Sequence, residues 1–143
     1  METRVKILSM TETIRVKTTR HTSIVNITPQ VRDAVRRSGV KEGLCIIYVP
    51  HTTACVFINE GADPDVVKDI VYSLEKLIPW TDPAYQHGEG NSAAHIRSAI
   101  IGNSRVVPIM NGNIALGTWE AIFLAEFDGP RERRVVLKIL KEE

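Results

Sequence analysis

An α+β fold with a mainly antiparallel sheet and two to three helices is what this sequence predicts. Strand-like runs fill both ends of the chain, from Val5 to Val16 and from Arg105 to Leu140. Between them lie two helix starts of the cap-plus-proline kind, Thr28-Pro29 and Asp63-Pro64, each leading into helical periodicity. The order strands, helix, strands, two helices, strands is that of an α+β domain. At 143 residues the chain fits one domain, residues 1–143, able to bury about two-thirds of its unfolded surface without disulfides or metal.

Val5, Ile7, Ile14 and Val16 alternate with polar residues, the period of one or two half-buried strands, with residues 1–11 read as an extra N-terminal strand. Ile24-Val-Asn-Ile27 runs into a helix over about 29–38, which Thr28 caps and Gly39 closes. Leu44–Val49 and Ala54–Ile58 are apolar, β-branched core strands that meet at His51. After Asp63-Pro64, the apolar residues Val66, Val67, Ile70, Val71, Leu74, Leu77 and Ile78 recur at helical spacing up to Pro79, which makes this the longest helix. A loop follows, then a helix that ends near Gly102. Asn111-Gly112 is a hairpin signal between Arg105–Met110 and Ile114–Leu116, and Glu120–Phe127 and Arg134–Leu140 complete the strands.

Composition excludes several classes of function. With 18 Lys+Arg against 17 Asp+Glu and a formal net charge of +1, no field draws the protein onto nucleic acid or an anionic membrane. No apolar run approaches the roughly 20 residues that span a bilayer. The start, Met-Glu-Thr-Arg-Val-Lys-Ile, lacks the apolar core and cleavage site of a signal peptide, so a cytoplasmic protein is expected. Cys45 and Cys55 sit in apolar runs without CxxC spacing and read as buried, inert thiols.

The stretch richest in chemistry is Tyr85-Gln-His-Gly-Glu-Gly-Asn-Ser-Ala-Ala-His-Ile-Arg-Ser98. Gly88 and Gly90 permit a tight loop that aims His87 and Glu89 inward, and Ser92 reads as an N-cap that sets His95 in the first turn of a helix, near its positive dipole end. The same stretch also fits an ordinary Gly-rich connection. His51, at the strand break, is read either as a site residue or as a histidine capping the sheet edge, and Glu60 as exposed at a turn or turned into a site. His21 reads as surface. Gly117-Thr118-Trp119-Glu120 offers a Gly that something can approach, or a β-bulge. Arg131, Arg133 and Arg134 read as a phosphate contact or a solvated strand edge. Three neutral imidazoles, His51, His87 and His95, suit zinc or a similar divalent ion with a fourth position left for water, although the spacing is no metal signature of its own.

His51-Thr-Thr-Ala, Ile58-Asn-Glu60, Tyr85-x-His87-x-x-Gly, Ala94-His95-Ile-x-Ser98 and Gly117-Thr-Trp119 together make the chain resemble the YjbQ family, from about Ile14 to Leu140. The resemblance implies an α+β homotrimer with a histidine site close to a subunit boundary, and a thiamine-phosphate synthase side activity. It marks His51, His87 and His95 as candidate metal ligands, with Glu60, Glu89 and Asn91 as polar partners around them. Where the family usually has Gly-Thr-Trp-Gln, this chain has Glu120, a carboxylate with acceptors only.

The expected function is therefore a metal-dependent enzyme acting on a small phosphorylated metabolite. In it His51, His87 and His95 hold the ion, probed first as zinc, and Glu60 or Glu89 acts as general base beside Asn91. Ser92, Ser98, Gly117, Thr118 and Glu120 are the candidates to meet substrate and phosphate. The alternative is a non-catalytic trimer that retains a metal or ligand.

Overall fold

The computed structural model describes residues 8–142, so Val5 and Ile7 lie outside the described residues. In chain order the elements are β1 (Leu8–Lys17), β2 (Ser23–Asn26), α1 (Thr28–Ser38), β3 (Gly43–Tyr48), β4 (Ala54–Glu60), α2 (Pro64–Leu77), α3 (Ser92–Ile101), β5 (Ser104–Met110), β6 (Asn113–Ile114), β7 (Glu120–Glu126) and β8 (Glu132–Lys141). They form two antiparallel sheets, one five-stranded in the order β1-β8-β3-β5-β6 and one three-stranded in the order β2-β7-β4. Residues 8–11 are the first part of β1 and pair with β8 from Leu8 onward.

The burial of each sheet explains its sequence pattern. In the five-stranded sheet one face is packed, through Val16, Cys45, Ile47, Val107, Ile109, Val135, Leu137 and Ile139, and alternate residues face out. In the three-stranded sheet both faces are packed. Ala54, Val56, Ile122 and Leu124 meet the five-stranded sheet and Val31, Ala34 and Val35 of α1. Cys55, Phe57, Phe123, Ala125 and Phe127 meet Ala94 of α3 and the Val67, Ile70 and Leu74 side of α2. A strand buried on both faces has no polar phase, hence the unbroken apolar runs of β4 and β7. Fully burying a side chain such as Leu124 contributes about 1.5–3 kcal/mol.

Local signals explain most element ends. Asp63 caps α2, its Oδ1 accepting from the Asp65 N–H at 2.9 Å, and Gly39 ends α1 with a left-handed φ of 72°. Asn111 and Gly112 carry φ of 53° and 79°, the paired positive values of the tight hairpin turn. β6 is shorter than the Ile114–Leu116 run, covering Asn113–Ile114.

β3 and β4 meet at His51 but lie in different sheets, and Pro50–Thr53 is the crossing between them. Two expectations change. Thr28 does not cap α1, because its buried Oγ1 accepts from the Ile122 N–H of β7 at 2.8 Å and so ties helix to sheet. The residue preceding α3 is Asn91, which makes Ser92 the first helical residue and not the cap. Among the described residues α2 has none that is fully buried, and Leu77 is 78% exposed.

Candidate functional site

The crossing from β3 to β4 places His51 beside β8. Val49 donates its N–H to the Asn103 carbonyl at 2.8 Å, and His51 donates its own to the Val49 carbonyl at 2.9 Å, a turn that Pro50 makes rigid. The last β3–β8 pair is Tyr48 with Val136. Two residues further along β8, the Arg134 N–H donates to His51 Nε2 at 2.9 Å. The histidine thus caps the sheet edge, and the bond fixes its chemistry. A ring nitrogen that accepts is unprotonated, so Nδ1 carries the proton. Burial lowers the His51 pKa from its ordinary value, and the nearby Arg133 and Arg134 cations lower it further, against an opposing pull from the Glu126 carboxylate.

Behind His51 lies a buried ion pair that the sequence reading missed. Arg133 forms it with Glu126, donating through Nε to Oε1 at 2.8 Å and through Nη2 to Oε2. Arg133 Nη2 also donates to Thr53 Oγ1 at 2.7 Å, and Thr18 Oγ1 donates to Glu126 Oε1 at 2.8 Å. Burial pushes the Glu126 pKa up, but the bonds from Arg133, Thr18 and the Asp128 N–H outweigh it and hold the carboxyl below its ordinary value. Two signals were available. Arg133 shares the inward phase of Val135, Leu137 and Ile139, and Glu126 lies in a run buried from Ala121 to Phe127. Arg131 is half-tied to the surface by Asp128 at 2.8 Å, and Arg134 is exposed.

Helix α3 and the loop that precedes it bring the other imidazoles. His95 is half-buried, and its ring lies edge-on to that of His87 with centroids 5.3 Å apart. Gly90, with φ of 74°, needs the freedom of glycine, whereas Gly88 does not: its φ is not positive and a Cβ there meets nothing within 4 Å. His87 and Glu89 are exposed, not turned inward. Asn91 is buried, and its Nδ2 donates to Asp128 Oδ2 at 2.9 Å and weakly to Glu89 Oε2 at 3.4 Å. Its Oδ1 is buried with no hydrogen-bond partner, as is Ser98 Oγ.

His95 is the wall between two cavities. One, of about 460 Å³, is lined by Tyr85, Gln86, His87, Ser92, His95 and Ile96 at the start of α3. The other, of about 400 Å³, is lined by His51, Thr52, His95, Ser98, Gly102 and Asn103. Neither is lined by a carboxylate or a thiol. Cys45 and Cys55 are buried and free, and burial pushes their pKa up to about 11 and about 12, which leaves protonated, unreactive sulfur.

Glu60, Gly117, Thr118 and Glu120 lie elsewhere. In the β4–β7 register Glu60 faces Glu120 at one end and Ala54 faces Glu126 at the other. Six steps at about 3.3 Å per residue set the two ends roughly 20 Å apart. Glu120 Oε1 accepts from the Gly117 N–H at 2.7 Å, a local turn that an amide oxygen would serve equally well. Glu60 Oε2 is buried without a partner.

The donors fit a metal only in part. Among the described residues, no group of three or more His, Cys, Asp or Glu is close enough to hold one ion. His87 and His95 are adjacent, while His51 has its accepting nitrogen committed to β8.

A family model described as UPF0047 protein YjbQ-like matches residues 12–142. The chain belongs to the YjbQ family. Among its relatives, the UPF0047 protein YugU of Bacillus subtilis is 42% identical over 131 residues, covering 92% of this chain and 99% of that protein. A UPF0047 protein of Methanocaldococcus jannaschii is 45% identical over 139 residues, covering 96% and 99%. A crystal structure of a YjbQ/UPF0047 protein from Clostridium acetobutylicum superposes with a TM-score of 0.87 at 45% identity, over 90% of this chain and 98% of that one. A YbjQ-like protein of unknown function from Sulfolobus solfataricus gives a TM-score of 0.91 at 35% identity, over 96% and 100%. The two-sheet architecture is therefore that of the family. Residues 8–11 precede the matched region yet continue β1 without a break.

Proposed function

We propose that this protein is an enzyme acting on a small phosphorylated metabolite that lies across His95. The observation that carries this reading is that one imidazole walls two adjoining cavities, touching His87 on one side and facing His51 and Ser98 on the other. The phosphate belongs at the start of α3, where the first backbone N–H groups, Ser92 and the positive dipole end favour an anion. The rest of the molecule passes over His95 toward His51, whose Nδ1–H is a donor, and toward the unpartnered Ser98 Oγ. His95 reaches both halves and is the natural general acid or base. Joining a pyrimidine pyrophosphate to a thiazole phosphate, the side activity implied by the resemblance, needs two anionic ends held apart, which two adjoining cavities provide.

A divalent ion, zinc by the softness of its nitrogen donors, would be held by His87 and His95, with other ligands from the substrate or a second subunit, and would supply charge to a phosphate oxygen. His51 enters such a site only by giving up Arg134. The homotrimer is supported by the outer face of the five-stranded sheet, where Leu44, Tyr48, Val106 and Met110 are exposed. An apolar sheet face of this kind is covered in a stable protein, here by further copies of the chain.

One observation favours a second reading, a trimeric binding protein without turnover: no carboxylate lines either cavity to serve as base. Titration with phosphorylated small molecules, with and without zinc, followed by phosphorus NMR separates the two. New phosphorus signals that vanish in His95→Ala mean an enzyme. Line broadening or shift without new signals means a binder. If neither change occurs, or if His95→Ala leaves them intact, the site is misplaced.

A further inference from the structure

A separate cavity lies on the other side of α3 and is built around a buried cation. Arg97 is two residues from His95, roughly 200° round the helix at 3.6 residues per turn. Its side chain is 3% exposed, and its guanidinium sits over the Phe127 ring, 5.6 Å from the centroid. Nη2 and Nε donate to the Ile78 carbonyl at 2.8 and 3.3 Å. Among the described residues no carboxylate lies within ion-pairing distance of Arg97, and no acceptor meets Nη1. A buried guanidinium cannot shed its proton to escape the cost of burial, so it calls for an anion.

Arg97 faces a cavity of about 540 Å³ whose other walls are His21, Thr22, Glu75, Pro79 and Trp80. The His21 and Trp80 rings stand edge-on in contact, with centroids 4.3 Å apart, and form an aromatic wall against which a flat ring can pack. Glu75 lines the same cavity and raises the Arg97 pKa against the lowering by burial, so the two charges sense each other without touching.

We infer that this cavity binds a small aromatic carboxylate carrying an N–H donor, with the carboxylate on Arg97, the ring against Trp80 and His21, and the donor toward Glu75. The free edge of the guanidinium matches a planar carboxylate. A phosphate dianion fits less well, because Glu75 repels its second charge. The volume suits a molecule of one or two rings. Nothing in this inference depends on the His95 cavities, since the two sites share only the helix between them.

The test uses the full-length protein with Trp119→Phe, so that the remaining tryptophan, Trp80, reports on the cavity through its fluorescence. The probes are 4-aminobenzoate, benzoate and phenyl phosphate. Saturable quenching in the order aminobenzoate, benzoate, phenyl phosphate is the expected result, with NMR shifts at His21 and not at His87. Arg97→Lys keeps the charge but not the fork, and should weaken aminobenzoate about tenfold, the scale of one charge-assisted hydrogen bond. Should that variant fail to fold, the exposed rim variant Glu75→Gln decides, because it should abolish the preference for aminobenzoate over benzoate. No saturation with any probe overturns the inference. So does a folded Arg97→Lys with full affinity, or a preference that survives Glu75→Gln.

Discussion

The two ends of the three-stranded sheet differ in how their charges are treated. At the Ala54–Glu126 end a carboxylate buried from solvent receives Arg133, Thr18 and the Asp128 N–H, and Arg133 reaches on to Thr53. At the Glu60–Glu120 end two carboxylates face each other across the ladder, one with a buried oxygen that has no partner, beside a Trp119 that is 66% exposed. The first end is completed within the chain. The second is not, and like charges directly opposite in a sheet are destabilising. The difference teaches where the chain finishes its own site and where it leaves groups for something outside to meet. Glu60, Gly117, Thr118 and Glu120, which the sequence reading grouped with the histidines, belong to the end of the ladder opposite Ala54 and Glu126.

Breaking the completed end should have the largest effect. Arg133→Met leaves Glu126 charged and buried, which costs about 3–5 kcal/mol and is read as a lower urea midpoint with an unchanged slope. The variant should also release the Arg134 edge that holds His51, so ligand binding in the His51 cavity falls with stability. Replacing Glu126 and Arg133 together by Gln and Met should recover much of the loss, since no lone charge remains. A single variant within 1 kcal/mol of the parent would mean that water reaches this pair.

At the open end the expected effect is on assembly. Trp119→Ala should leave the stability of one subunit within about 0.5 kcal/mol, as for exposed residues generally, and weaken self-association. Light scattering should then show a shift from a trimer toward the 16.0 kDa monomer on dilution. Retention of a trimer at every dilution would place the contact elsewhere, with the apolar face around Val106 next to be changed. A parent protein that is a monomer throughout would remove the trimer altogether.

Much of this contrast was legible in the sequence, for physical reasons that name themselves. β8 announces its buried phase through Val135, Leu137 and Ile139, and α2 its cap through Asp63. The pair Asn111-Gly112 gives its turn directly. His51, His87 and His95 stand out because imidazoles are few, and the fold brings them to the two cavities that share His95. What stayed hidden depends on partners distant in the chain. Thr28 looks like a cap until β7 takes its hydroxyl, and Arg133 looks like an edge charge until Glu126 is found beneath it. Local periodicity also cannot say that β3 and β4 belong to different sheets. Both are apolar runs, and it is the covering on the second face of β4 that separates them.

Glu60→Gln removes one of the opposed charges and should stabilise an isolated subunit by about 0.2–1 kcal/mol, the range of a cross-strand pair. Thermal or urea unfolding of dilute protein measures it. Destabilisation would show that the carboxylate already has a favourable partner.

The smallest effect concerns pH, and it distinguishes two groups at the same end of the sheet. The lowered pKa of His51 means that the unfolded chain takes up its proton first as pH falls through 6.5, so stability is lost from there down to the folded-state value. Glu126 behaves differently. Its lowered pKa gives a contribution that is complete above the ordinary carboxylate value of 4.5 and is lost only as pH falls through the still lower folded-state value. The two windows therefore do not overlap at their upper ends. His51→Gln keeps an oxygen that can accept the Arg134 N–H but cannot titrate near neutrality. As pH falls from 7 to 5 the parent should lose stability relative to this variant, and once the pH is below the folded-state value of His51 the two should fall in parallel. His21, His87 and His95 are common to both proteins, so the difference between the two curves isolates His51. Parallel curves from pH 7 to 5 would show that His51 is not held neutral by its place beside Arg133 and Arg134, and the Nδ1–H donor assigned to the cavity would go with it.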